Sequence, residues 1–271
     1  MKVKKIVSLA IAFSLVASIF TGCTAKKAGG ADKSLDKIKE KGVFVLGLDS
    51  AFPPMGFEDE KGNIVGFDID VAKEVAKKLG VTLKTQPIDW NAKEQELNTG
   101  KIDCIWNGFS ISDERKQNLT LTEPYMDNHM AIVVLNNSGI KTLADLKGKK
   151  LGLQGGSSAA DALDSKADFK KSLGKVVEFK DNLTALMDLE AKGVDAVLMD
   201  EVVANYDITK NKKNYTLLSE TLATEEYAIG LRKGEIQLKE GIEKALKELA
   251  KDGTLASISN KWFGKDVTKI K

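Results

Sequence analysis

Two stretches of this 271-residue chain read as one unit written twice. LNTGKIDCIWNG, residues 97–108, and LEAKGVDAVLMD, residues 189–200, each pass from a helix end through a glycine-bearing turn and an aspartate into a short apolar run. Aligned, they pair Ile102 with Val194, Asp103 with Asp195 and Gly108 with Asp200. A short apolar run bounded by turn residues is the pattern of a buried strand. Strand and helix patterns alternate before both copies, which predicts an α/β fold with mostly parallel sheets flanked by helices. The duplication predicts two lobes of like construction.

Taken in order, a helix over Ser34 to Lys41 leads to VFVLGLDS, a buried strand ending at Asp49. AFPPMGF follows, and its two prolines, which cannot donate to a ladder, predict a loop. GNIVGFDIDVAKEVAKKLG then reads as a short hairpin arm and a helix. Val71, Val75 and Leu79 recur on one face of it, and Gly80 stops it. VTLKTQPI, Asp89-Trp90 and a helix ending near Thr99-Gly100 complete a β-α-β-α-β series whose third strand is the first repeat copy. In the second half, ADLKGKKLGLQGGSSAADAL reads as strand, glycine turn and helix, and VVEFK as a further strand. PYMDNHMAIVVLNNSG connects the lobes, and EEYAIGLRKG reads as an extended return crossing near Ala223. Closing helices place Ile242, Leu246 and Leu249 on an apolar face, and Trp262-Phe263 reads as core.

The N-terminus is a signal segment: three lysines within residues 2–5, an uncharged apolar run over 6–20, then Gly22-Cys23. A small residue followed at once by cysteine resembles a bacterial lipoprotein signal, which implies lipidation of Cys23, although Phe20 stands where an aliphatic residue is commoner. Residues 23–33 form a flexible linker. Removal of residues 1–22 takes the formal net charge from +2 to −1, so nothing suggests nucleic acid. Cys104, inside an apolar run, reads as a buried small hydrophobe. With two cysteines and one histidine, His129, the chain offers no disulfide framework, metal cluster or histidine-based triad.

Open α/β sheets bind ligands beyond the carboxyl ends of their strands. Those ends carry Asp49 and Asn107-Gly108 in the first lobe, and Gln154 and Asp200 in the second. Past the first copy, IDCIWNGFSISDER ends at Arg115, whose planar guanidinium suits a carboxylate. On local sequence alone, the favoured reading of Arg115 is a solvated charge in the run DERK, residues 113–116. GGSSAAD adds a helix N-terminus, a ready partner for an anion.

Together GLDSAFPPMGF, GNIVGFDIDVAKEVAKKLG, GFSISDERKQNLTLTEPY, DLKGKKLGLQGGSS, GVDAVLMDEV, EYAIGLRKG and DGTLASISNKWFG resemble the extracellular solute-binding proteins of polar amino-acid ABC importers. The resemblance spans the chain from Ser34 onward. It implies a two-lobe periplasmic-binding-protein-like fold of type II, with residues 34–127 and 223–271 in lobe one and 128–222 in lobe two, joined by two hinge crossings. It also implies a monomer anchored outside the cytoplasm by Cys23, closing on one free amino acid and delivering it to ABC permease and ATPase subunits, without cofactor, metal or catalysis. By that likeness, Arg115 takes the α-carboxylate with main-chain N–H groups near Ser110 and at Ser158. Asp200 takes the ammonium with the Gly108 carbonyl and the Ser110 hydroxyl. Phe52 and Trp90 pack on the ligand stem, leaving Asp49, Asn107, Gln154 and Ser157 as selectors. Relatives often carry Ser, Thr or Ala at the Asn107 position and an aliphatic or basic residue at Gln154. Amides at both places favour a glutamine-like polar ligand or cystine over a basic one. Two other readings stand beside this one. A dehydratase-like enzyme on the same scaffold would use Glu201 or Glu225 as its acid, and a surface adhesin or sensor would bind a macromolecule.

Overall fold

A computed structural model describes residues 32–271 of the chain; the signal segment, Cys23 and most of the linker lie outside the described residues. Helix α1 (Ser34–Lys41) stops at Gly42, whose φ of 70° returns N–H bonds to the last turn. Strand β1 (Val43–Leu48) follows, then three short strands, β2 (Ala51–Phe52), β3 (Gly56–Glu58) and β4 (Ile64–Val65), which form a separate antiparallel arm. AFPPMGF is therefore not loop throughout, as its prolines predict: Ala51 pairs with Phe57 and Phe52 with Gly56. The prolines fall in the turn between the paired flanks, where no ladder N–H is required. Helix α2 (Phe67–Leu79) buries Val71, Val75 and Leu79 and ends at Gly80, φ 78°. Strand β5 (Thr82–Pro87), a 3-10 turn over Trp90–Ala92, helix α3 (Lys93–Asn98) and strand β6 (Cys104–Ser110) complete the series. Both β5 and β6 run parallel to β1, on either side of it.

After helix α4 (Asp113–Asn118) and strand β7 (Leu119–Leu121), the long strand β8 (Met126–Leu135) carries the chain into the second lobe. There β9 (Lys150–Gln154), α5 (Ser158–Asp164), α6 (Ala167–Ser172), β10 (Lys175–Phe179), α7 (Asn182–Glu190) and β11 (Ala196–Asp200) repeat the plan, with β9 parallel to both β10 and β11. Helix α8 (Glu201–Thr209) leads to β12 (Tyr215–Arg232), which returns to the first lobe, where α9 (Ile236–Lys251) and α10 (Thr254–Phe263) close the molecule. The strands run β10-β9-β11-β8-β12-β6-β1-β5, with β7 also on β12. Thus each lobe is a parallel sheet, and the two are joined through the antiparallel pair β8 and β12.

The repeat read from sequence has a structural counterpart. Asp103 accepts the Val45 N–H at 2.8 Å and returns its own N–H to the Val45 carbonyl at 2.7 Å. Asp195 does the same with Lys150, at 2.8 and 2.9 Å. In each lobe an aspartate thus staples the entry of its strand to the neighbouring strand.

Apolar faces then fix the layers. On the first lobe, Val71 and Val75 of α2 meet Ile242 and Leu246 of α9 on one side of the sheet, while Leu97, Ile102, Ile105 and Phe109 fill the other. Leu151, Leu153, Leu163 and Leu198 form the corresponding core of the second. Burying one such side chain is worth about 1.5–3 kcal/mol, so these faces hold the strand ends in register. Trp262 and Phe263 are half-buried against the first core, and Trp262 Nε1 donates to Asp70 at 2.9 Å.

Candidate functional site

The strand ends of both lobes converge on one narrow cavity of about 10 Å³. Its lining includes Asp49, Phe52, Trp90, Asn107, Gly108 and Arg115 from the first lobe. Gln154, Ser157, Ser158 and Asp200 face them from the second. Of the residues expected at the site, Ser110 alone is set back from the wall, its Oγ 3.1 Å from that of Ser158. A wider open groove of about 570 Å³ lies elsewhere, along Pro54, His129, Glu201, Tyr206 and Trp262, and none of the charges on it, Asp127, Glu201, Lys210 and Lys265, is buried.

Local structure explains how each charge is presented. Ser112 accepts the Arg115 N–H at 3.2 Å as the cap of α4, which turns the first helical turn, and Arg115 with it, back toward the strand end. Arg115 is not a solvated charge: it is 5% exposed, lies 4.1 Å over the Phe109 ring and donates Nη1 to the Ser110 carbonyl at 2.7 Å. Burial lowers its pKa from the ordinary arginine value. Asp200, also 5% exposed, ends β11 and is braced from the crossing strands. Tyr227 Oη donates to its Oδ1 at 2.6 Å and Asn128 Nδ2 to the same atom at 2.8 Å. Burial, and then the neighbouring Glu225 charge, push the Asp200 carboxyl up to about 7.

The remaining acceptors are partly committed. Asp49 accepts the Ala51 N–H at 2.8 Å and, across the cleft, the Gln154 amide at 2.7 Å, while burial raises its pKa. Asn107 serves the first lobe itself, accepting the Asp49 N–H at 3.0 Å. Gly108 adopts φ +55°, and a Cβ there would stand 2.8 Å from the Phe52 ring, so glycine lets the aromatic wall close on the strand.

Several residues at the site escape sequence reasoning. Asp68 is fully buried beneath it, accepting the Gly108 N–H at 2.8 Å and the Tyr125 hydroxyl at 3.0 Å. Burial pushes its carboxyl up to about 7. Its only signal is an acid between Phe67 and Ile69, two core residues at a helix start. Lys93 is buried behind Trp90, 5.4 Å over that ring, and donates to Gly156 O in the other lobe at 2.9 Å. Burial and then Arg115 lower it to about 8. Cys104 is buried, as an apolar strand residue, and burial raises its thiol pKa. His129 sits on β8 at hydrogen-bond distance from the Thr224 hydroxyl, 3.2 Å, on the wider groove.

Two parallel-sheet lobes, linked by crossing strands and enclosing opposite charges at facing strand ends, define a two-lobe α/β binding protein of the periplasmic-binding-protein type. The chain belongs to the bacterial extracellular solute-binding proteins, family 3, whose model matches residues 44–265. It is 35% identical over 237 residues to the L-cystine-binding protein TcyJ of Escherichia coli (strain K12), covering 87% of this chain and 88% of that one. The lysine/arginine/ornithine-binding periplasmic protein of the same strain is 31% identical over 227 residues, 80% of this chain and 86% of its own length. An ABC uptake transporter substrate-binding protein from Streptococcus pneumoniae, solved with bound histidine, matches with a TM-score of 0.85 at 38% identity, covering 88% of this chain and 99% of that one. Members of this family act outside the cytoplasm. Among the described residues no helix is long and apolar enough to cross a membrane.

Proposed function

We propose that this chain is the extracytoplasmic receptor of an amino-acid ABC importer, anchored through a lipidated Cys23, which captures one free amino acid between its lobes and hands it to the permease. The observation that carries the reading is the pairing of Arg115 and Asp200, buried charges of opposite sign on opposite walls of one cavity. A zwitterion taken from water needs both its charges matched, since an unmatched buried charge is heavily penalised. On this reading Arg115 grips the α-carboxylate, with the α5 N-terminus at Ser158, and Asp200 grips the ammonium. Phe52 and Trp90 enclose the stem, and the crossings near residues 128 and 223 bend.

The side-chain end of the ligand meets Asp49 and Gln154. Asn107 is largely occupied with its own lobe, so acceptors dominate, and they favour a ligand that donates there. The relatives noted above are named for cystine or for lysine, arginine and ornithine, or hold histidine, all of which carry such donors. We therefore rank a cationic or doubly headed amino acid above a glutamine-like one, which keeps cystine in the first rank and moves the basic amino acids above glutamine. The activity is binding and release rather than catalysis. Of the two acids considered for an enzyme, Glu201 lines the wider groove and Glu225 is bonded to two serines.

The test is direct. Purified protein is denatured, any released amino acid is identified by mass spectrometry, and the refolded protein is titrated with the standard amino acids and cystine. Saturable binding of one or a few amino acids at equal stoichiometry is expected. Binding of none of them sinks the reading.

A further inference from the structure

Glu225 stands on β12, paired in the ladder with Asn128 of β8, where the chain crosses between lobes. Its Oε2 accepts the Ser110 hydroxyl at 2.6 Å and the Ser158 hydroxyl at 3.1 Å. Ser110 ends β6 in the first lobe, and Ser158 opens α5 in the second. One carboxylate oxygen on the crossing strand thus holds a serine from each lobe. The single Ser110 proton points at Glu225, so what that hydroxyl has left for a neighbour is lone pairs.

Asn128, the ladder partner of Glu225, donates to Asp200 Oδ1 at 2.8 Å, and Tyr227, two residues further along the same strand, donates to that atom at 2.6 Å, so the two carboxylates share one face of the crossing pair and their charges repel. Arg115 offsets part of that repulsion, but once it grips the ligand carboxylate its charge is matched there, and the two acids remain an unfavourable pair until an ammonium sits beside them. A ligand that supplies an ammonium relieves the repulsion, and one that lacks it leaves the repulsion in place. Discrimination by such a penalty is as effective as added attraction.

We infer that Glu225 is a specificity-determining residue: a second negative charge beside Asp200 that makes the cleft demand an α-ammonium and reject des-amino analogues. This rests on the amino-acid-binding reading above. The probes are L-arginine against 5-guanidinopentanoate and L-glutamine against 4-carbamoylbutanoate, pairs that differ only in the α-amino group, with dissociation constants measured by calorimetry. For whichever pair the wild type binds, it is expected to prefer the amino acid, and Glu225→Gln to shrink that preference by about tenfold, equivalent to about 1.4 kcal/mol. Glu225→Asp keeps the charge on a shorter arm and is expected to keep the preference while weakening both ligands alike. Glu225→Ala provides the same comparison if the glutamine variant does not fold. An unchanged preference in the uncharged variants overturns the inference, as does its loss in Glu225→Asp, because a merely structural role shifts both members of a pair equally. If wild type binds no amino acid at all, the receptor reading fails first and this inference fails with it.

Discussion

Asp200 offers a prediction in which ligand-free stability and ligand affinity respond to pH with opposite signs. Its carboxyl is held near 7 in the folded chain, against an ordinary value of 3.8, by burial first and by Glu225 second. Because the folded pKa is raised, the folded chain binds the extra proton between these two values. That contribution to stability is fully present below pH 3.8 and is lost as pH rises through about 7. Ligand-free protein is therefore expected to melt at progressively lower temperature between pH 5 and pH 8. An ammonium, by contrast, needs the ionised form. Binding must first remove the proton, so the apparent dissociation constant weakens by a factor of one plus ten to the power of seven minus pH. That is about tenfold at pH 6 and about a hundredfold at pH 5 relative to the alkaline limit. Calorimetry in buffers of different ionisation enthalpy, with a ligand other than histidine, measures both the affinity and the proton count, with close to one proton released per ligand at pH 6. Asp200→Asn is expected to abolish binding and to flatten part of the ligand-free slope. Asp68, raised to about 7 without facing the ligand, contributes to the rest, as do Asp49, Asp207 and Glu235, which burial also raises. Affinity constant between pH 5 and pH 8, with no proton released, would refute the assignment of the ammonium to Asp200.

Arg115→Ala removes one partner of a buried charge pair. Such truncations cost about 2–5 kcal/mol, so affinity is expected to fall by roughly thirtyfold to several thousandfold. The ligand-free melting temperature is expected to move little, because the lost ring contact and single hydrogen bond offset the relief of a desolvated cation. A large drop in ligand-free stability with unchanged affinity would recast Arg115 as structural. Asp49→Asn, read by competition between arginine and glutamine, is expected to weaken arginine by about tenfold more than glutamine, since one buried ionic contact becomes neutral; equal weakening argues against Asp49 as the side-chain selector. Gly156→Ala forces a side chain onto a backbone at φ +64°, with its Cβ 2.6 Å from Asn91 Oδ1 across the cleft. Small-angle scattering with saturating ligand is expected to show a more open chain than wild type, and an identical radius of gyration rules out that wedge.

The parts of this molecule that were legible in its sequence are those set by neighbours along the chain. Glycines at 42 and 80 end helices because the left-handed cap is local. Asp103 and Asp195 announce the duplication because stapling a strand entry is a job for one residue at one offset. Arg115 is visible as a cation just past an apolar strand. What was not legible depends on register between distant strands. Tyr227 and Asn128 reach Asp200 only because β8 and β12 align along their length, with irregularities at Leu217/Thr221, Thr221/Ala223 and Ala228/Gly230 that no local pattern announces. For the same reason Asn107 looked like a selector from its strand-end position, whereas its amide oxygen accepts the Asp49 N–H. Ser110 looked like part of the wall, whereas the crossing strand draws its hydroxyl to Glu225.

The bracing of the two charges bears on how closure is coupled to capture. Arg115 is fixed within lobe one, by its own helix cap and the Ser110 carbonyl. Asp200 is fixed at the end of a second-lobe strand by two residues of the crossings themselves. Bending the crossings therefore moves the cation and the acid relative to each other, and because Tyr227 pairs with Ser110 of the first lobe, it also works against the Tyr227 bond to Asp200. A ligand that bridges them gains its second set of contacts only in the closed arrangement, and its differential affinity for that arrangement sets how far the equilibrium moves. Contacts that span the cleft away from the ligand, such as Lys93 to Gly156, act on the same equilibrium. Weakening them reduces the closed fraction and so raises the apparent dissociation constant in inverse proportion to that fraction. Residues that never touch the ligand thereby tune its affinity, and the charges that do touch it decide which ligand is worth closing on.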